Sequence, residues 1–165
     1  STGNATIAVM FYLLIYIFMN LGAFFVAIFA ANSINAHTVD DFAGLGKRSP
    51  LIGAAMVIFL LSLTGIPPTA GFIGKVYLFA ALIESHQFYW LAMIAIFNTV
   101  ISLFYYFRIA KSMYFEKSDD ETKITAHPAI KGVIIVCVLP ITFLIINWNP
   151  LYIFIENSIL KIIEG

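Results

Sequence analysis

Apolar residues fill four stretches of the chain, and short polar clusters separate them. Ile7 to Ala31 comes first, 25 residues that suffice to cross about 30 Å of hydrocarbon with some tilt. A polar loop, Asn32 to Ser49, follows with His37, Asp40, Asp41, Lys47 and Arg48. Leu51 to Ile83 is the second stretch, and Glu84 to Gln87 is a short polar turn after it. Phe88 to Phe115 is the third. Its aromatic ends, Phe88-Tyr89-Trp90 and Tyr105-Tyr106, have the composition of interfacial belts. A charged loop, Glu116 to His127, precedes the last span. That span runs from Ala129 to about Ile155, contains Pro140, and carries Asn147-Trp148-Asn149-Pro150 at its exit. The pattern predicts an all-α, polytopic transmembrane helix bundle of about four spans with one broken helix. Residues 1–165 read as a single transmembrane module.

The second stretch is the broken one. Within it lie Gly65, Pro67, Pro68, Gly71 and Gly74. Proline removes a backbone donor and clashes with the preceding turn, and glycine weakens a helix further. A continuous helix of 33 residues would run about 50 Å, more than one crossing needs. Two crossings would instead put Lys47-Arg48 and Arg108-Lys111 on opposite sides. One crossing, unwound near Gly65–Gly71, puts both basic clusters on one side, as the positive-inside rule favours. The expectation is one broken crossing, with loops 32–49 and 116–127 in the cytoplasm and the C-terminus outside. Irregular backbone at membrane depth survives only against protein or a water-filled cavity. The break therefore faces other helices, and Ala70, Gly71 and Gly74 permit their close approach.

Composition agrees with a membrane protein. The chain is 61% hydrophobic and 11% charged, with mean hydropathy +0.95. Soluble domains carry about 25% charged residues. Formal net charge is zero, which gives no electrostatic footprint for nucleic acid. Cys137 is the single cysteine, so no disulfide forms within the chain, and its apolar setting fits a small hydrophobe. The chain starts at Ser1 and reaches a span almost at once. It reads as the C-terminal part of a longer protein.

Lys75 is the only charged residue between Leu51 and Ile83. A lysine at mid-membrane costs roughly 2.5–3.5 kcal/mol on insertion scales. It lies about 15 Å before the membrane edge at Glu84, too deep for easy snorkelling. A cation beside a broken helix is a pattern of ion-coupled membrane proteins. Burial disfavours a charged ammonium, so proton release near working pH is accessible. The competing reading is a lysine that reaches an interface or caps unwound carbonyls. Glu84 projects from the opposite helix face, nine positions on, and reads as interfacial with a possible relay role. Asn20, beside Gly22, sits mid-span in the first helix. Asn98, Thr99 and Ser102 sit mid-span in the third. These form a polar path or bond across helices. His37, Asp40 and Asp41 are a weak metal candidate, lacking a second histidine at helical spacing. His86 and His127 read as interface residues. No nucleotide, iron–sulfur or hydrolase motif is visible.

Three strings carry a family resemblance: DDFAGLGKRSP, LSLTGIPPTAGFIGK and FYYFRIAKSMYF. They resemble the C-terminal part of subunit N of proton-pumping NADH-quinone oxidoreductase (respiratory complex I), one of its three antiporter-like membrane subunits. The match is clearest over residues 10–115, and the core G-[IL]-P-x-x-x-G-F-x-x-K is fairly specific to the antiporter-like superfamily. The resemblance implies inverted repeats of five helices, each with a broken helix and a nearby lysine. Lys75 would be the proton carrier of the second half-channel. Sister subunits often place an acidic residue after the lysine, where this chain has Val76. Some carry Lys and His in the preceding helix, where this chain reads YLLIYIFMNLGAFFVAIF with Asn20 and no ionisable group of that kind. Both departures favour subunit N. Implied partners are the other membrane subunits of complex I, sister antiporter-like subunits included, and the bilayer. Implied cofactors lie on partner subunits: NADH, FMN, iron–sulfur clusters and quinone, with none on this chain. The implied location is the bacterial inner (plasma) membrane. Two alternatives stay open: a subunit of a multisubunit sodium/proton antiporter, and a non-transporting structural membrane module.

Overall fold

The computed structural model describes residues 2–84, 88–118 and 122–164, with side chains from 5 to 158. Helix α1 spans Thr2–Ile34, α2 Leu45–Arg48, α3 Pro50–Thr64, α4 Ala70–Glu84, α5 Tyr89–Phe115, α6 Pro128–Ile146 and α7 Asn149–Glu164. There is no strand among the described residues. Ala5–Ile34, Tyr89–Phe115 and Pro128–Ile146 are each long and apolar enough to cross a bilayer. Helices α3 and α4 have 15 residues each, about 22 Å, too short to cross singly.

Helix α1 is the central element. It buries Ile7, Phe11, Ile15 and Met19 along one stripe, then Val26, Phe29 and Ala30. The four-residue spacing of the first set keeps them on one face. Helices α3 and α4 descend that face in order. The Phe59 ring occupies the space above Gly22 where a side chain would stand. Gly71 lies against Met19, and Gly74 against Ile15 and Tyr12. Lower still, Tyr77 meets Phe11 edge-on, with ring centroids 5.5 Å apart. The contacts run monotonically from residue 22 of α1 to residue 11. The two short helices therefore run as one interrupted segment antiparallel to α1, in line with the broken helix that the sequence predicts.

The break covers residues 65–69 and includes a cis bond between Pro67 and Pro68. Gly65 adopts φ +79°, the left-handed conformation that ends helices. Its N–H donates to the Ser62 carbonyl, and the Ile66 N–H reaches back to that of Leu61 at 3.2 Å. This is the Schellman pattern. Helix α4 restarts with its own caps. Thr69 Oγ1 accepts from the Phe72 N–H at 3.3 Å, and Ser62 Oγ accepts from the Gly71 N–H at 3.0 Å.

Two expectations about element boundaries need correction. The 32–49 segment is not a plain loop. Its last residues form the short helix α2, which meets α3 at a bend of about 120° with the preceding turn. The last span stops at Ile146 and not near Ile155, and α7 begins at Asn149 after a break. Pro150, at the start of α7, suits a helix that begins afresh. Trp148 Nε1 donates to the Tyr77 hydroxyl at 2.9 Å there, and Tyr152 stacks on Tyr77.

The 36–49 segment is tied to the far end of α5. Asp40 pairs with Arg108 at 3.4 Å, and the Gly44 N–H donates to the Ser112 carbonyl. Arg48 Nε donates to the Thr122 carbonyl at 3.1 Å, and its own carbonyl accepts from the Ile124 N–H. Lys47, Arg48, Arg108 and Lys111 thus share one end of the bundle.

Candidate functional site

The C-terminal turn of α3 leaves four carbonyls in need of donors, as every helix does. The Schellman turn serves two of them, on Leu61 and Ser62. The other two belong to Leu63 and Thr64, and Lys75 serves both. Its Nζ donates to the Leu63 carbonyl at 3.1 Å and to the Thr64 carbonyl at 2.9 Å. The lysine stands one turn into α4, so it reaches back across the break to close the end of α3. The carbonyl end of a helix carries partial negative charge, which favours an ammonium there.

The third Nζ proton goes elsewhere. Lys75 donates to Thr99 Oγ1 on α5 at 3.2 Å. Thr99 in turn donates to the Ala95 carbonyl at 2.9 Å, so its free lone pair faces the lysine. All three acceptors are neutral oxygens. Lys75 is half-buried and lines a cleft of about 280 Å³ between α1, α4 and α5. Hydroxyls and one amide share that lining: Tyr12, Tyr16, Asn98, Thr99, Ser102 and Tyr106.

Among the residues singled out in the sequence, the fold brings Lys75, Asn98, Thr99 and Ser102 together. Glu84 is not among them; it lies exposed at the end of α4. Asn20 is not among them either. Its amide donates to the Tyr16 carbonyl of its own helix at 2.9 Å and makes no bond across helices. Tyr106 departs from the interfacial reading, because it turns into the cleft while Tyr105 stays 62% exposed. Tyr12 and Tyr16 were missed altogether. The available signal was spacing: 95, 99, 102 and 106 fall on one face of α5, and 12 and 16 on one face of α1.

The other candidates have structural partners. Asp41 Oδ2 accepts from the backbone N–H groups of His37 and Thr38 at 2.8 and 2.7 Å. Those bonds hold its carboxyl below the usual carboxylate range. His127 caps α6, with Nδ1 accepting from the Ala129 N–H. Cys137 is buried in α6. Among the described residues, no three His, Cys, Asp or Glu side chains group as a metal site. His86 lies outside the described residues.

With this geometry in place, similarity to known proteins becomes informative. The family described as NADH:quinone oxidoreductase/Mrp antiporter, TM, matches residues 1–102. NADH-quinone oxidoreductase subunit N 2 of Sorangium cellulosum is 43% identical over 161 residues, which cover 96% of this chain and 32% of that protein. Its counterpart in Chloroherpeton thalassium is 42% identical, covering 93% and 31%. Subunit N of Chlorobium chlorochromatii is 54% identical over 110 residues, covering 66% and 21%. The chain thus spans about a third or less of the length of these relatives. A chain of respiratory complex I from Thermus thermophilus, solved with bound aureothin, shares the fold. The TM-score is 0.69 at 23% identity, over 84% of this chain and 32% of that one.

Proposed function

The chain belongs to the NADH:quinone oxidoreductase/Mrp antiporter transmembrane family, and from that premise we propose that it is the C-terminal part of a subunit N that carries protons through Lys75. The parent complex would be NADH-quinone oxidoreductase, with NADH, FMN, iron–sulfur clusters and quinone held by other subunits. Its bacterial relatives support the bacterial inner membrane as its location. The whole of residues 1–165 serves as one module of that subunit, packed against other membrane subunits and lipid.

One observation carries the reading: a half-buried lysine at a helix break, bonded only to neutral oxygens, on a hydroxyl-lined cleft. Hydrogen bonds to a charged group contribute about 1.5–3 kcal/mol each. Three of them offset the roughly 2.5–3.5 kcal/mol of placing a lysine at mid-membrane. Among the described residues no carboxylate bonds the ammonium, so it is held here without an ion pair. A hydroxyl-lined cleft of about 280 Å³ has room for water, which would give the proton somewhere to go.

The same bonds to Leu63 and Thr64 favour a second reading, in which Lys75 is a fixed cap for α3. Neutralising it in the parent complex separates the two. Lys75→Ala should depress proton-coupled quinone reduction while leaving the amount of assembled complex near normal. A fixed cap would show the reverse, with assembly lost first. A sodium/proton antiporter subunit is the remaining relative in the family. Co-purification with flavin- and iron–sulfur-bearing subunits decides against it.

A further inference from the structure

We propose that Thr99 is the group through which Lys75 exchanges its proton with water in the cleft. The inference rests on the reading of Lys75 as a proton carrier and goes beyond it by assigning the next group.

The argument starts from the three acceptors around Nζ. Two are backbone carbonyls of Leu63 and Thr64. A carbonyl oxygen accepts a hydrogen bond but has no proton of its own to pass on. Thr99 Oγ1 is the third, and a hydroxyl both accepts and donates. It is the one partner able to relay. Its own proton rests on the Ala95 carbonyl, within its own helix, and rotation about a single side-chain torsion swings that proton into the cleft.

The step balances simply. One Lys75 N–H bond breaks and one O–H bond forms at Thr99. The proton that Thr99 held on Ala95 passes to a water molecule in the cleft. Lys75 ends as a neutral amine, Thr99 as an unchanged hydroxyl, and the water as hydronium. At about 280 Å³ the cleft accommodates several waters, each with about 30 Å³ of liquid volume.

Thr99, Ser102 and Tyr106 stand three and four residues apart on one face of α5, covering about 10 Å along its axis. Ser102 repeats the arrangement of Thr99, with its hydroxyl proton parked on the Asn98 carbonyl at 2.8 Å. Beyond Tyr106 comes Arg108, which pairs with Asp40. The apolar Leu78 and Phe79 of α4 line the same cleft.

The test uses the assembled complex in membranes. Thr99→Val keeps the branched shape and removes the hydroxyl, and Thr99→Ser restores it. Turnover is read per complex, by flavin content, in water and in deuterium oxide. Thr99→Val should lower proton-coupled turnover about fivefold and enlarge the solvent isotope effect. Thr99→Ser should recover at least half the turnover and the original isotope effect. Ser102→Ala loses only a bond within its own helix, so it should fold normally and show a smaller loss of the same kind. Equal loss in Thr99→Val and Thr99→Ser, or full turnover with an unchanged isotope effect in Thr99→Val, overturns the relay. Lys75→Ala run alongside separates the levels: normal pumping there sinks the lysine reading itself, whereas its loss beside an intact Thr99→Val sinks only the relay.

Discussion

Gly65 leaves open the space through which the Lys75 side chain passes. A Cβ at Gly65 would lie 2.9 Å from Lys75 Cδ and 3.4 Å from Nζ. The same residue adopts φ +79°. One glycine thus ends α3 and makes room for the cation that caps it.

Gly65→Ala should therefore weaken the site twice. The left-handed backbone costs a non-glycine residue about 1–2 kcal/mol. The added methyl also pushes the lysine stem away from the Leu63 and Thr64 carbonyls. The expected outcome is a lower thermal midpoint of the complex and reduced coupled turnover. Unchanged values for both would show that the break tolerates displacement of Lys75.

Lys75→Ala should reduce coupled quinone reduction by about a hundredfold or more, the scale of losing a positioned proton-transfer group. Lys75→Arg should do no better, although it keeps the charge. A guanidinium stays protonated at any working pH. Arginine supporting full pumping would replace the titrating lysine with a fixed charge.

Gly71→Ala tests packing across the break. Its Cβ would fall onto the Ser62 carbonyl oxygen, with Met19 Sδ at 3.1 Å. Backbone cannot yield as a flexible side chain does, so α4 must shift away from α3. Overpacking of this kind costs typically 1–3 kcal/mol. The quantity to measure is the yield of assembled complex, which should drop, whereas Gly132→Ala should not lower it. Gly132 has open space around its Cβ position.

Asp41 supplies a pH-dependent element outside the bilayer. Its folded-state carboxyl is held low, first by the His37 backbone bond and then by Thr38. The stabilisation is therefore complete above the ordinary carboxylate value near 3.8 and disappears only as pH falls through the lowered value. The 36–49 segment should stay intact at neutral and mildly acidic pH. Asp41→Ala removes the acceptor of both bonds at any pH and should speed tryptic cleavage after Lys47 or Arg48.

Side-specific labelling checks the single broken crossing. Cysteines at Lys47 and Lys117, both exposed, should label from one side on a Cys137→Ala background, and a cysteine at Glu84 from the other. Ser49 is 6% exposed and would make a poor reporter. Labels at 47 and 117 from opposite faces would require two crossings.

Much of this was legible in the chain because the signals were strong and local. The Gly/Pro cluster at 65–74 located the break, and the isolation of Lys75 in an apolar run singled out the side chain that bonds across it. The competing thought that Lys75 caps unwound carbonyls is also realised in the bonds to Leu63 and Thr64. Less visible was what depends on helix rotation. Tyr106 adjoins Tyr105 in sequence, yet neighbouring residues on a helix point about 100° apart, and only one meets the cleft. Asn20 looked available to another helix, but its amide turned back to Tyr16. Helix α2 has four residues, too few for any periodicity to register.

The stitch between Arg48 and Thr122 joins residues 74 positions apart. A chain made from its N-terminus has to wait for that partner. While α3, α4 and α5 pass into the bilayer, the turn ahead of the broken crossing lacks its closing bonds. They form only when the segment after α5 arrives on the same side. A chain stopped after Glu84 would hold both halves of the interrupted helix but no latch on their leading edge. Translation order thus leaves α3 and α4 free to settle against α1 before the latch shuts.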